Sequence, residues 1–184
     1  MNSSFERTIE RLAIDAGIRD LTARFSDAVN RRDFNAFGDL FADNGAWEIG
    51  EPFPSRAAGR QNVTTMFKNL WAPWDFFFQM THSGVIDVAP DRQTATARWE
   101  IQEIARTPDG SQSYDNVALY YDRLVRTPDG SWRFAERRYH YVWVSSADLG
   151  GRSVSLKLLS TRTWADSGNI LTIYQPILRE PVPE

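Results

Sequence analysis

The chain contains no cysteine, which excludes a disulfide framework, a thiolate nucleophile and a zinc–thiolate site. Histidine is almost as scarce. His82 and His140 are the whole complement, and two isolated imidazoles without spaced carboxylates make no metal-binding pattern. No apolar run approaches the roughly 18 residues of a membrane-crossing helix, and the N-terminal stretch lacks the apolar centre of a secretion signal. A cytoplasmic location is the expectation. Neither sign of charge dominates: the net charge is −3 with the signs interspersed, so neither nucleic acid nor membrane is an expected partner. Phosphate-cradling glycine loops and metalloprotease signatures are missing as well.

What the chain does have is aromatic surface, 13% of its residues and seven tryptophans among them. That much suits a large core or an apolar pocket. The length of 184 residues with 42% hydrophobic content fits one domain with a full core. Residues 1–146 are assigned to that domain, and 147–184 to a C-terminal extension packing on it or on a partner subunit.

The stretch Thr94–Val144 organises the rest. Three runs rich in Thr, Val, Ile, Tyr, Trp and Phe are joined by two near-identical turns, Thr107-Pro108-Asp109-Gly110 and Thr127-Pro128-Asp129-Gly130. Pro presets φ for a tight turn and Gly accepts the positive φ that closes a bulged hairpin. Three consecutive antiparallel strands are predicted, the middle one about 15 residues long, and strands of that length twist and curve. Upstream, apolar residues from Phe5 to Asn30 recur at helical spacing, with a bend expected at Gly17. Asp33 is a plausible N-cap for a second helix carrying Phe34, Phe37, Leu40 and Phe41. A short strand Ala46–Ile49, a third helix Val63–Leu70 and a strand Phe78–Val88 follow. Beyond Ser146, Ser153–Thr161 reads as a strand or short helix, and the tail from Gly168 is apolar. Helices first and strands after is the segregated α+β pattern. A curved antiparallel sheet closed by three N-terminal helices makes a cone-shaped α+β barrel with a dead-end pocket.

Four segments, Ile18–Ile49, Ala58–Val63, Met80–Val88 and Asp129–Arg138, together resemble the SnoaL-like branch of the nuclear-transport-factor-2-like superfamily. The resemblance implies cofactor-independent acid/base chemistry on a hydrophobic aromatic or polycyclic small molecule: a lyase reaction such as dehydration, other elimination or retro-aldol-type cleavage, or isomerisation or cyclisation. In its dehydratase and dehydrochlorinase members a His on the strand after the third helix pairs with an Asp near the end of the first. The matching positions here are His82 and Asn30, so the orienting side chain carries no charge. Phe25 stands where bile acid dehydratase has a Tyr. These departures leave a second reading, a non-catalytic assembly subunit like the β subunits of ring-hydroxylating dioxygenases. The branch also leads us to expect a homodimer or homotrimer.

The remaining candidates follow from strand alternation. Arg98 and Glu100 share a face and resemble the Arg-x-Asp of limonene epoxide hydrolase; Glu103 lies on the opposite face, and only one of the two acids can face a pocket. Tyr120 and Tyr121 also point oppositely, and one phenol is placed to donate to a developing oxyanion. Arg137, Tyr139 and Tyr141 share a face, with Arg137 expected to bind an anionic group or pair with Glu100. Catalytic candidates are therefore His82, Asn30, Glu100 and Arg137. Phe25, Trp47, Trp71, Phe78, Tyr120 and Tyr139 are the substrate-binding candidates.

Overall fold

Ile14, Ile18, Leu21, Phe25, Ala28 and Val29 are all buried, and their three- and four-residue spacing makes them the inward stripe of the first helix. A computed structural model of the protein describes residues 3–148 and 154–158. The first helix, α1, spans Ser3–Arg31 without a break at Gly17. Gly17 serves a close approach instead: a Cβ there would stand 3.1 Å from Cδ1 of Trp132. Ile9 and Leu12, apolar at the same spacing, are exposed. Asp33 caps α2 (Phe34–Asp39), its Oδ1 accepting from the Ala36 N–H at 3.0 Å. The third helix, α3, spans Arg60–Trp71.

The strands are β1 (Phe41–Ile49), β2 (Ser55–Ala58), β3 (Phe76–Val88), β4 (Thr94–Arg106), β5 (Gln112–Arg126), β6 (Trp132–Asp148) and β7 (Val154–Leu158). They form one open sheet in the order β2-β1-β6-β5-β4-β3, with β7 also on β6. Both Thr-Pro-Asp-Gly turns join the strands as expected, with Gly110 and Gly130 at positive φ and each turn's Thr and Asp side chains bonded together. Two features depart from the sequence reading. β1 begins at Phe41, running through Asp43-Asn44-Gly45, and pairs with β6 in parallel while the other ladders are antiparallel. β2 is an additional four-residue partner for β1. The pairing of β1 with β6 rests on contacts distant in the chain, which local composition does not report, while β2 folds back on β1 across the short loop after Ile49. β7 falls within the ambiguous stretch 153–161 and is a strand. The apolar tail from Gly168 lies outside the described residues.

The result is an α+β fold, a curved and unclosed sheet with α1 laid against β3 and β6, and α3 against β1 and β2. Among the described residues no helix is long and apolar enough to cross a membrane.

Candidate acid/base site

Hairpin register places three polar residues side by side on the inner face of the sheet. Gln79 of β3 stands opposite Glu103 of β4, and Glu103 opposite Asn116 of β5. All three are buried. A second row, Trp99, Tyr120, Tyr139 and Ile49, crosses β4, β5, β6 and β1 beside them. Above these rows lies a cavity of about 420 Å³, within the usual range for small-molecule sites. Trp47, Phe67, Trp71, Trp74 and Phe77 supply its aromatic wall, and Glu103, Gln79, Tyr114, Tyr120, Tyr139 and Tyr141 its polar side.

Glu103 is the carboxylic acid of the cavity lining. Gln79 Nε2 donates to its Oε1 at 2.6 Å, and Asn116 Nδ2 donates to its Oε2 at 3.0 Å. The Tyr139 hydroxyl lies 2.6 Å from the same Oε2 and 2.7 Å from Asn116 Oδ1. A phenol carries a single hydrogen, so with an ionised Glu103 one of those two oxygen–oxygen contacts would hold no proton. A neutral Glu103 completes the set: its Oε2–H donates to Tyr139, and Tyr139 donates to Asn116 Oδ1. Exchanging the oxygen and nitrogen of the Asn116 amide leaves the same deficit of one hydrogen.

Solvation acts in the same direction. Burial pushes the Glu103 carboxyl above the ordinary carboxylate range, against the pull of the hydrogen bonds from Tyr139, Asn116 and Gln79. Burial, reinforced by the charge on an ionised Glu103, likewise raises the Tyr120 and Tyr139 phenols. The Tyr141 phenol is pushed up to about 12, chiefly by burial. The tyrosines are therefore proton-bearing donors at neutral pH, and Glu103 is the group poised to exchange a proton.

The sequence matches the SnoaL-like domain family over residues 10–138. The chain belongs to the SnoaL-like family. Several solved structures share its fold. One is a hexachlorocyclohexane dehydrochlorinase, LinA-type3, from Novosphingobium barchaimii: 18% identity, TM-score 0.69, covering 76% of this chain and 94% of that one. A scytalone dehydratase-like protein from Novosphingobium aromaticivorans has 18% identity and a TM-score of 0.67, covering 79% and 94%. A nuclear-transport-factor-2-like protein of cystatin-like fold from Novosphingobium aromaticivorans has 22% identity and a TM-score of 0.65, covering 77% and 90%. At these identities the likeness is one of fold. A search of curated protein sequences finds no match.

Within this SnoaL-like chain the ten candidate residues separate. Trp47, Trp71, Tyr120 and Tyr139 line the cavity. Of the two phenols, Tyr120 faces inward and Tyr121 outward. Of the two acids, Glu103 faces inward and lines the cavity, while the candidate Glu100 is exposed beside Arg98 on the outer face. Phe78 is exposed and Phe77 takes its place in the wall, a one-residue change that strand alternation makes decisive. Phe25 is core, ringed by Phe37, Phe41, Trp47, Tyr120 and Phe134 rather than lining the cavity.

Arg137 is fully buried and pairs with Asp122, its cross-strand neighbour, through two bonds of 2.8 Å. Its guanidinium carbon lies 3.9 Å from the Tyr120 ring centroid and 4.1 Å from that of Phe25. The pair forms a layer beneath the cavity floor, and Glu100 takes no part in it.

His82 is exposed, at a register irregularity of β3 between Thr81 and Gly84. The irregularity interrupts the alternation that would otherwise relate its direction to that of the residues before it. Asn30 meets Gln79 rather than His82. Its Oδ1 accepts from the Gln79 N–H at 2.7 Å and its Nδ2 donates to the Gln79 carbonyl at 3.0 Å. Gln79, Asn116 and Tyr114 went unrecognised in the sequence. Asn116 was recoverable once the Thr107–Gly110 turn is used to count register, because it sets Glu103 opposite Asn116; Gln79 was not, because the irregularity between Thr81 and Gly84 shifts the register of β3 against β4. Among the described residues no group of three acidic or histidine side chains converges to hold a metal ion.

Proposed function

We propose that this protein is a cofactor-independent acid/base lyase acting on a hydrophobic aromatic or polycyclic small molecule. The observation that carries the reading is a buried carboxyl, Glu103, hydrogen-bonded to Gln79, Asn116 and Tyr139 and set in an aromatic cavity among tyrosine hydroxyls. In an elimination, Glu103 gives its Oε2 proton to a leaving oxygen of the substrate as that C–O bond breaks, and water departs. The resulting carboxylate then takes a proton from the neighbouring carbon, and the electron pair of that C–H bond becomes the new double bond. Protons balance, and Glu103 returns neutral. Tyr120 and Tyr139 hold the carboxyl's surroundings and supply hydrogen bonds to charge that develops on the substrate. Isomerisation of a double bond uses the same give-and-take without a leaving group, and a dehydrochlorinase among the structural neighbours is consistent with proton-transfer chemistry on this fold.

The test is a mass-spectrometric turnover screen against neutral aromatic and polycyclic hydroxy and carbonyl compounds, run beside Glu103→Gln. Loss of water from a substrate, abolished in the variant, supports the lyase; conversion without change of mass supports the isomerase. Ligand binding without turnover, or co-purification with a larger catalytic chain, replaces this reading with that of an assembly or binding subunit.

A further inference from the structure

Gln79 has more fixed points than any other polar residue of the cavity lining. Its backbone is clamped on both sides by the Asn30 amide of α1. Its side-chain Oε1 accepts from Ser26 Oγ, also on α1, at 3.2 Å, and Ser26 is tied to Thr81 Oγ1 at 2.6 Å. Both hydrogens of its Nε2 are committed, one to Glu103 Oε1 at 2.6 Å and one to the Tyr120 hydroxyl at 3.1 Å. The side chain is 2% exposed. A carboxamide does not titrate, so held in this orientation it presents a donor to Glu103 at every pH.

We propose that Gln79 is the positioning residue of the site: locked by α1, its amide makes Oε1 of Glu103 the acceptor oxygen and consigns the exchangeable proton to Oε2. Because the Tyr120 oxygen accepts from the same amide, the Tyr120 hydrogen is turned away from Gln79 and left for the substrate. Gln79 thereby gives a symmetric carboxyl two distinct ends, one that accepts and one that gives. The inference rests on Glu103 being the acid/base group.

The groups facing Glu103 are few. Gln79 comes from β3, Asn116, Tyr114 and Tyr120 from β5, and Tyr139 and Tyr141 from β6. The Arg137–Asp122 pair stands behind Tyr120. None of the facing tyrosines loses its proton near neutrality, so a titration seen at Glu103 reports that carboxyl.

The experiment is a carbon-13 NMR titration of glutamate side-chain carboxyls in the unliganded protein, with the Glu103 signal assigned by its loss in Glu103→Gln. Removing the donor in Gln79→Leu takes away a bond that favours the carboxylate, so the Glu103 midpoint moves to higher pH. Ser26→Ala frees the amide without deleting it, and a smaller upward shift is expected. It also decides the matter if Gln79→Leu fails to fold. An unchanged midpoint in the folded variants overturns the proposal. The readout needs no turnover: a shift without any activity would retain Gln79's role while removing the lyase reading, and turnover lost only in Glu103→Gln with unshifted midpoints would do the reverse.

Discussion

Asn30 and Arg137 show how a buried polar side chain is defined by the partner that satisfies it. Asn30 ties the end of α1 to β3 by closing both backbone groups of Gln79. Asn30→Leu strips a donor and an acceptor from a part-buried backbone, and should lower unfolding free energy by about 1–3 kcal/mol in urea melts. Asn30→Asp keeps the acceptor for the Gln79 N–H and should cost less. At Arg137, burial pushes the Asp122 carboxyl up while the guanidinium pulls against it. Arg137→Met leaves an uncompensated buried acid and should cost about 3–5 kcal/mol. Combining it with Asp122→Leu should return most of that loss, because an apolar pair of similar volume leaves nothing unpaired.

At the scale of the element, β3 decides which side chains meet a ligand. Phe76, Phe77 and Phe78 are indistinguishable by composition, but only Phe77 turns into the cavity, and the other two are exposed. Phe77→Ala should weaken binding of a neutral aromatic probe such as 2-naphthol by roughly tenfold, the loss expected for one buried ring face. Phe78→Ala should leave it unchanged, with quenching of the Trp47, Trp71 and Trp74 fluorescence as the readout. Further along β3, Gly84 lies under the Trp99 ring: a Cβ there would stand 2.0 Å from Trp99 Cε3. Gly84→Ala must displace that buried indole, and should destabilise the protein by about 1–3 kcal/mol in thermal or chemical melts. His82 sits on the same strand but is exposed and does not line the cavity, and His82→Ala should retain turnover in the same assay that Glu103→Gln fails.

For the whole molecule, the raised Glu103 proton affinity links folding to pH. The folded state holds this proton more tightly than the unfolded chain does, so the contribution is fully present below the ordinary glutamate pKa. It is lost as pH rises through the folded-state value. Wild type should therefore lose stability over that upper window relative to Glu103→Gln, whose amide needs no proton. Melting temperatures of the two proteins taken across pH check this: their difference should shift in favour of the variant as pH rises. A constant difference would mean that Glu103 binds its proton equally well in the folded and unfolded chain.

The helix stripe of α1, the Asp33 cap, the three-strand meander and its two turns were legible in the sequence because each is encoded by neighbours: spacing, a side chain three residues from its N–H, a Pro-Asp-Gly turn. Alternation also supplied which residues share a face, as with Arg137, Tyr139 and Tyr141. Alternation leaves open which face is inward, and the pairing of distant strands answered that. It put Glu103 in and Glu100 out, chose Phe77 over Phe78, and gave Arg137 to Asp122. The parallel partnership of β1 with β6 and the clamp of Asn30 on Gln79 join residues far apart in sequence, where local preference is silent. The raised proton affinity of Glu103 belongs to the same class, since it depends on burial and on a hydrogen-bond network that only the folded sheet brings together.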